Sequence, residues 1–201
     1  IIKKIYFLQS YIFFNYYFSI GIDLMNNWKE IWNDKGRINN SIILTLLNAD
    51  GYDIPWSRIG AEEWFQYCNN FYSKIGVSMD DTIFEIGCGS GAFLYPLYLR
   101  NNFVEGIDYS ANLLDLARKF MPESNFTCED AASIKLNKTY DVVLSHSVFQ
   151  YFNDLNQAEM VLKTMNRLAK RKIAILDVND MENFDLFHKE RIKQFVEEGF
   201  S

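Results

Sequence analysis

The sequence has few of the groups that hold metals or nucleic acids. It contains two histidines, His146 and His188, and three cysteines, Cys68, Cys88 and Cys128. Two histidines exclude a histidine-rich metal centre. An odd number of cysteines at no metal-ligand spacing reads as reduced thiols of a cytoplasmic protein, with no metal bound. Positive charge is also scarce. Twenty Lys and Arg face 26 Asp and Glu, a net charge of -6, and no basic stripe forms. The electrostatic footprint of a nucleic-acid binder is missing. No internal repeat or low-complexity linker divides the 201 residues, so one domain with a real core is expected.

One apolar run stands apart. After Lys3 and Lys4, Ile5 to Ile22 is almost wholly apolar and aromatic. It approaches the length of a membrane span, roughly 18–20 residues. Gln9, Ser10, Asn15 and Ser19 interrupt it, and no small-residue cleavage site follows. A signal anchor is one reading. The preferred one is that residues 1–24 are a tail outside the native fold, loosely packed, with the native chain starting at Met25 and no membrane partner.

Residues 25–78 read as an N-terminal helical segment. Trp28 and Trp32 suggest a short helix, "ADGYDIPW" has turn chemistry, and Trp64, Cys68, Phe71, Tyr72 and Ile75 recur at helical steps up to Gly76. After Asp81 short apolar runs alternate with helical periods. Strands are expected at Thr82–Ile86, Phe103–Ile107, Asn125–Cys128, Tyr140–Ser145 and Lys172–Asp177, and helices near Ala92–Arg100, Ala111–Phe120 and Leu155–Ala169. Asp154 and Gln157 have capping-box spacing. This order predicts an α/β fold: a doubly wound parallel sheet of about five strands flanked by helices.

The turn leaving the first of these strands is "FEIGCGSG", with Gly87, Gly89 and Gly91 at alternate positions around Cys88. Such loops face ligands at the carboxyl ends of strands. The dinucleotide fingerprint is G-x-G-x-x-G; here it is G-x-G-x-G, preceded by Glu85. A carboxylate repels a pyrophosphate and attracts an ammonium, so the loop favours S-adenosyl-L-methionine over NAD(P). Asp108 lies about 20 residues after the first glycine, where an acid can accept both ribose hydroxyls; it also suits NAD, or a cap for the following helix. Asp130 can accept from an adenine amino group with Ala131 packed near the ring, or be a solvated loop carboxylate.

Taken together, "FEIGCGSG", "GIDYS", "CEDA" and "YDVVLSHSVFQYF" resemble, in order and spacing, the motifs of the S-adenosylmethionine-dependent methyltransferases of Rossmann-like fold, and within them the small-molecule type. The resemblance runs from Asp80 to Asp177. It implies a cofactor-binding core over residues 79–201. Glu85, Gly87, Cys88, Gly89 and Gly91 would surround the methionine moiety, Asp108 and Tyr109 the ribose, Asp130 and Ala131 the adenine. Ser145 and His146, within "SHSVFQYF", would form the floor under the sulfonium. Two features depart from the family. Pro96 falls inside the expected helix, so that helix is kinked or starts late. The sheet of such enzymes continues past the fifth strand into an antiparallel pair, whereas here a helix around Leu186–Val196 closes the sequence. The chain is therefore expected to be truncated, with the Lys172–Asp177 strand at an uncovered edge.

Methyl transfer from a sulfonium is an in-line displacement that needs a positioned nucleophile, and a base only when that nucleophile starts protonated. His146 is the candidate base, with a packed neutral imidazole as the alternative. Gln150 and Tyr151 are placed along the cofactor or the small-molecule acceptor. Tyr52 and Trp56, either side of Pro55, are lid candidates, while Trp64 is read as packing. An NAD(P)-dependent oxidoreductase and a non-catalytic cofactor-binding fragment are the other readings.

Overall fold

The computed structural model describes residues 3–8, 40–53 and 58–178. Six strands form one wholly parallel sheet: β1 (Lys4–Leu8), β2 (Thr82–Ile86), β3 (Phe103–Asp108), β4 (Asn125–Cys128), β5 (Tyr140–His146) and β6 (Ala169–Leu176), in the spatial order β1-β6-β5-β2-β3-β4. The helices are α1 (Asn40–Ala49), α2 (Ala61–Ile75), α3 (Tyr95–Leu99), α4 (Ala111–Phe120) and α5 (Leu155–Leu168). From β2 the chain moves outward through β3 to β4, then returns to the other side of β2 with β5 and β6. The order therefore reverses between β2 and β5, which makes their carboxyl ends the switch point of the sheet.

Alternation along the strands sorts the core into two faces. Ile83, Val142, Leu144, Ala174 and Leu176 join α1, α2 and α4 residues in one cluster, and Phe84, Ile86, Val143, Ile173 and Ile175 join Val161, Met165 and Leu168 of α5 in the other. Strands covered on both faces are continuously apolar for this reason. Local signals hold well. Gly76 ends α2 in the left-handed region at φ 72°, and Asp154 caps α5 by accepting from Gln157 N at 2.8 Å. The Gln157 amide returns to Asn153 N rather than to Asp154 N.

Three expectations meet a more specific outcome. First, the sheet has six strands among the described residues, where about five were expected. Lys4–Leu8 pairs in parallel with Lys172–Leu176, so the first residues are a strand where a loosely packed tail was expected. The cause is the edge itself: β6 presents unpaired N–H and C=O groups, and the apolar Ile5-Tyr6-Phe7-Leu8 run supplies their partners. Second, of the two expectations for the Pro96 helix the late start holds: α3 is Tyr95–Leu99, and Pro96 sits in its first turn, where the missing N–H costs nothing. Third, within the helical 25–78 segment the helix before the turn is Asn40–Ala49, and Ile43, Leu46 and Leu47 form its buried stripe. The expected helices near Trp28 and Leu186 and the lid residue Trp56 lie outside the described residues.

Candidate functional site

The glycine loop leaves β2 and is tied down on β3, since Gly87 N and Cys88 N both donate to Ile107 O, at 2.8 and 2.9 Å. All three of its glycines have positive φ, between 53° and 82°, which side-chain-bearing residues rarely adopt. A Cβ would also collide with protein atoms: at Gly87 with Val148 Cγ2, at Gly89 with Asp50 Oδ1, at Gly91 with Met121 Cε, all within 2.6 Å. The chain's own side chains thus lie against this loop.

Two of those neighbours are carboxylates. Asp108, at the end of β3, accepts from Gly89 N at 2.9 Å through Oδ2 and from Ser110 N at 2.8 Å through Oδ1. It fastens the β2 and β3 loops together, while Ser110 rather than Asp108 is the residue that caps α4. Asp50, just past α1, accepts from Ser90 N at 2.8 Å and lies 2.9 Å from Ser90 Oγ. The loop amides that would cradle a pyrophosphate are therefore already spent on protein carboxylates.

The third carboxylate is Glu85. It shares the α1/α2 side of the sheet with Ile83, is 1% exposed, and its Oε2 has no partner among the described residues. Burial, then the charges of Asp50 and Asp108, push its pKa well above the usual carboxylate range. Burial, with a smaller push from Asp108 and against the hydrogen bonds of Ser90, moves Asp50 up to about 6. Three acids around one loop with no ion pair to any of them among the described residues, and one buried oxygen left open there, form a site that a cation completes. The ammonium of S-adenosylmethionine fits this donor set; a dinucleotide's phosphates do not.

The remaining expected residues separate. Ser145 is fully buried and donates to Ile86 O at 2.9 Å, so it links β5 to β2 instead of facing a ligand. Cys88 packs against Gly106, its Cβ 2.8 Å from where a Cβ on that residue would stand. Tyr109 is 84% and Tyr151 77% exposed. Asp130 is exposed and closes its own turn by accepting from Ala132 N at 2.7 Å, and Ala131 packs against the α5-side core. Gln150, in a single 3-10 turn beside Val148, has a buried amide oxygen with no partner among the described residues.

His146, the expected base, is buried. Its Nε2 pairs with the Tyr67 hydroxyl at 2.7 Å and its ring stacks on Phe93 at 4.5 Å. Burial, against the charge of Asp177, pushes its pKa down to about 4. A buried neutral imidazole bonded to Tyr67 matches the packed alternative, and such a ring is a weak base at pH 7. Trp64 is packing, as expected, with an anchor: its indole N–H donates to Ala92 O at 2.9 Å. Tyr52 packs 5.0 Å from Trp64 and lines a cleft of about 340 Å³ with Leu44, Asn48 and Arg58, to one side of the glycine loop.

Sequence reasoning missed Asp50, Tyr67, Ser147 and Asp177. The last two end β5 and β6 in the left-handed region, both at φ 56°, and are bonded to each other through their side chains. Such strain often marks functional sites, but nothing in the sequence gives the backbone angle away. Asp50 was readable only through α1, whose apolar stripe fixes where that helix ends.

Residues 84–175 match the family model described as "Methyltransferase domain". The malonyl-[acyl-carrier protein] O-methyltransferase of Bacillus cytotoxicus is 30% identical over 118 residues, which are 56% of this chain and 41% of that protein. Its counterpart in Acetivibrio thermocellus is 38% identical over 92 residues, 44% and 30% of the two chains. The chain thus spans about two fifths or less of the length of these curated relatives. Among solved structures, the magnesium protoporphyrin IX methyltransferase of Synechocystis PCC 6803 superposes with a TM-score of 0.57 at 17% identity, over 82% of this chain and 77% of that one. A Clostridium acetobutylicum S-adenosylmethionine-dependent methyltransferase gives 0.51 at 17% identity, over 63% and 54%. Residues 84–175 thus match the methyltransferase domain model, and the fold is that of the Rossmann-like methyltransferase structures. Among the described residues no helix is long and apolar enough to cross a membrane, and no group of side chains could hold a metal ion.

Proposed function

We propose that this chain transfers a methyl group from S-adenosylmethionine to a small-molecule acceptor by in-line displacement. The observation that carries the reading is the buried, unpartnered Glu85 Oε2 beside Asp50 and Asp108 at the switch point of the sheet. Glu85 and the glycine loop take the methionine end, Asp108 takes the ribose hydroxyls with the lone pairs left free by Gly89 and Ser110, and the Asp130–Ala131 turn borders the adenine. The cofactor supplies an electrophilic methyl with an excellent leaving group, so the protein's share is positioning and exclusion of water. Tyr67, held by His146, and Tyr52, close to Ser147 and Asp177, border the acceptor side. With His146 neutral and already bonded, the acceptor that fits best arrives as a competent nucleophile, a carboxylate or neutral amine, and needs no base. The free thiols of Cys68, Cys88 and Cys128 suit a cytoplasmic setting. Incubation with methyl-labelled S-adenosylmethionine and panels of carboxylate, amine and phenol acceptors tests the reading. Transfer to carboxylates with rates flat between about pH 6 and 8, or to amines with rates that rise only as the free amine does, supports it. Reduction of NAD(P) with no methyl transfer refutes it.

A further inference from the structure

No motif marks Asp50, yet its carboxylate accepts from Ser90 N of the glycine loop at 2.8 Å. Ser90 Oγ is 2.9 Å from Asp50 Oδ2 and also 2.9 Å from Leu46 O. A serine hydroxyl has one proton to give. Both contacts close together only when Asp50 carries a proton on Oδ2 and donates it to Ser90, which in turn donates to Leu46 O. When Asp50 ionises, one of the two acceptors loses its donor. Burial, with a smaller push from Asp108, raises its pKa to about 6 against the pull of the Ser90 bonds, which places the exchange between the two arrangements near that pH. The charges acting on Asp50 are those of Asp108 on β3 and Glu85 on β2, and the other titratable groups that interact with it are the Tyr52 phenol and the Cys88 thiol. On the helices packed against α1, Asp115 and Arg118 of α4 pair with each other, while the charge of Glu85 acts on Cys68 and Tyr72 of α2. No cation acts on any of the three acids among the described residues, and Glu85 Oε2 is the buried open atom of the group.

Resting on the S-adenosylmethionine reading, we propose that Asp50 is a specificity residue of the cofactor site: its carboxylate, set on the glycine loop beside Glu85 and Asp108, makes the site prefer the cationic sulfonium cofactor over the neutral thioether left after transfer. The ammonium is common to both molecules and answers Glu85 in either case. The sulfonium charge is the difference between them. With the cation present the ionised form of Asp50 is favoured, and its proton leaves to solvent. With the thioether present Asp50 takes a proton back from solvent and restores its bond to Ser90. The same residue thus helps hold the substrate form and release the product form.

The test is calorimetric titration of S-adenosylmethionine and S-adenosylhomocysteine into wild type and Asp50→Asn, in two buffers of different ionisation enthalpy. Asparagine keeps the Ser90 contacts and cannot ionise. In wild type the preference for the sulfonium form should widen up to about tenfold between about pH 5 and pH 7.5, with proton release near pH 6 for that ligand only. In Asp50→Asn the ratio should be flat with pH and about three- to tenfold smaller at neutral pH. Should the variant fail to fold, the wild-type pH series decides alone. A wild type that binds both ligands with a pH-independent ratio overturns the role of Asp50 and leaves the cofactor reading standing. A wild type that binds neither overturns the cofactor reading itself.

Discussion

The two ends of the parallel sheet treat negative charge in opposite ways. At the amino ends, Asp81 is paired with Arg171 and accepts from Ser78 N at 3.0 Å, and Asp141 accepts from Thr82 N and Oγ at 3.0 and 2.7 Å with Arg171 and Lys170 alongside. At the carboxyl ends, Asp50, Glu85 and Asp108 meet no cation among the described residues. Asp141 is pushed up by burial but held below its ordinary pKa by the Thr82 bonds and the basic charges, whereas Asp50 and Glu85 are moved above theirs. An acid answered by protein groups stabilises the fold. An acid left open costs stability until a ligand answers it, and its retention at one end of the sheet points to binding.

Substitutions at the two ends should therefore separate stability from binding. The largest effect is expected at Gly87. An alanine there must hold φ near 74° and displace Val148, at a cost of about 2–4 kcal/mol, read as a lower denaturation midpoint with cofactor affinity lost. Asp108→Ala removes the acceptor for Gly89 and for the ribose, and should weaken S-adenosylhomocysteine binding by about 1.5–3 kcal/mol, roughly 10- to 150-fold, by calorimetry. Asp141→Ala should do the reverse, losing about 1–2 kcal/mol of stability while affinity stays unchanged. If Asp141→Ala weakens binding as much as Asp108→Ala, the contrast between the ends is wrong.

The pH dependence sharpens the same contrast. Asp141 has a depressed pKa in the folded state, so its contribution is present above about pH 4, the ordinary Asp value, and is lost as pH falls through its lower folded value. Asp50 has the opposite sign. With a folded pKa of about 6, its protonated form stabilises the fold below the ordinary Asp value, and that advantage drains away as pH rises toward 6. Asp50→Asn should then melt higher than wild type near pH 7.5 and about equally near pH 4, followed by thermal denaturation across pH. A wild type that outmelts the variant at both pH values would show Asp50 to be a structural acid like Asp141.

The two ends also differed in how readable they were. Strand runs such as Thr82–Ile86 and Asn125–Cys128, the Asp154 cap of α5 and the Gly76 stop of α2 are local, and the structure reproduces them. Glycine spacing with Glu85 two residues earlier placed the loop correctly. What sequence could not convey depends on chain segments distant from one another. Lys4–Leu8 became a strand because β6 offered an edge, and Asp50 reached the loop because α1 packs there. The engaged Nε2 and weak basicity of His146 come from Tyr67, 79 positions away, and from burial that position in sequence does not reveal. Ser145 read as a ligand-facing residue at a strand end, but its hydroxyl is turned to Ile86 O.

The central claim is that the open acids at the carboxyl ends form a site for a cationic adenosyl cofactor and not for a dinucleotide. Titration calorimetry of wild type with S-adenosylmethionine, S-adenosylhomocysteine, NAD and NADP at neutral pH tests it most directly. The account predicts saturable binding of the two adenosyl ligands and no heat from either dinucleotide. Saturable binding of NAD or NADP, with neither adenosyl ligand bound, would contradict it.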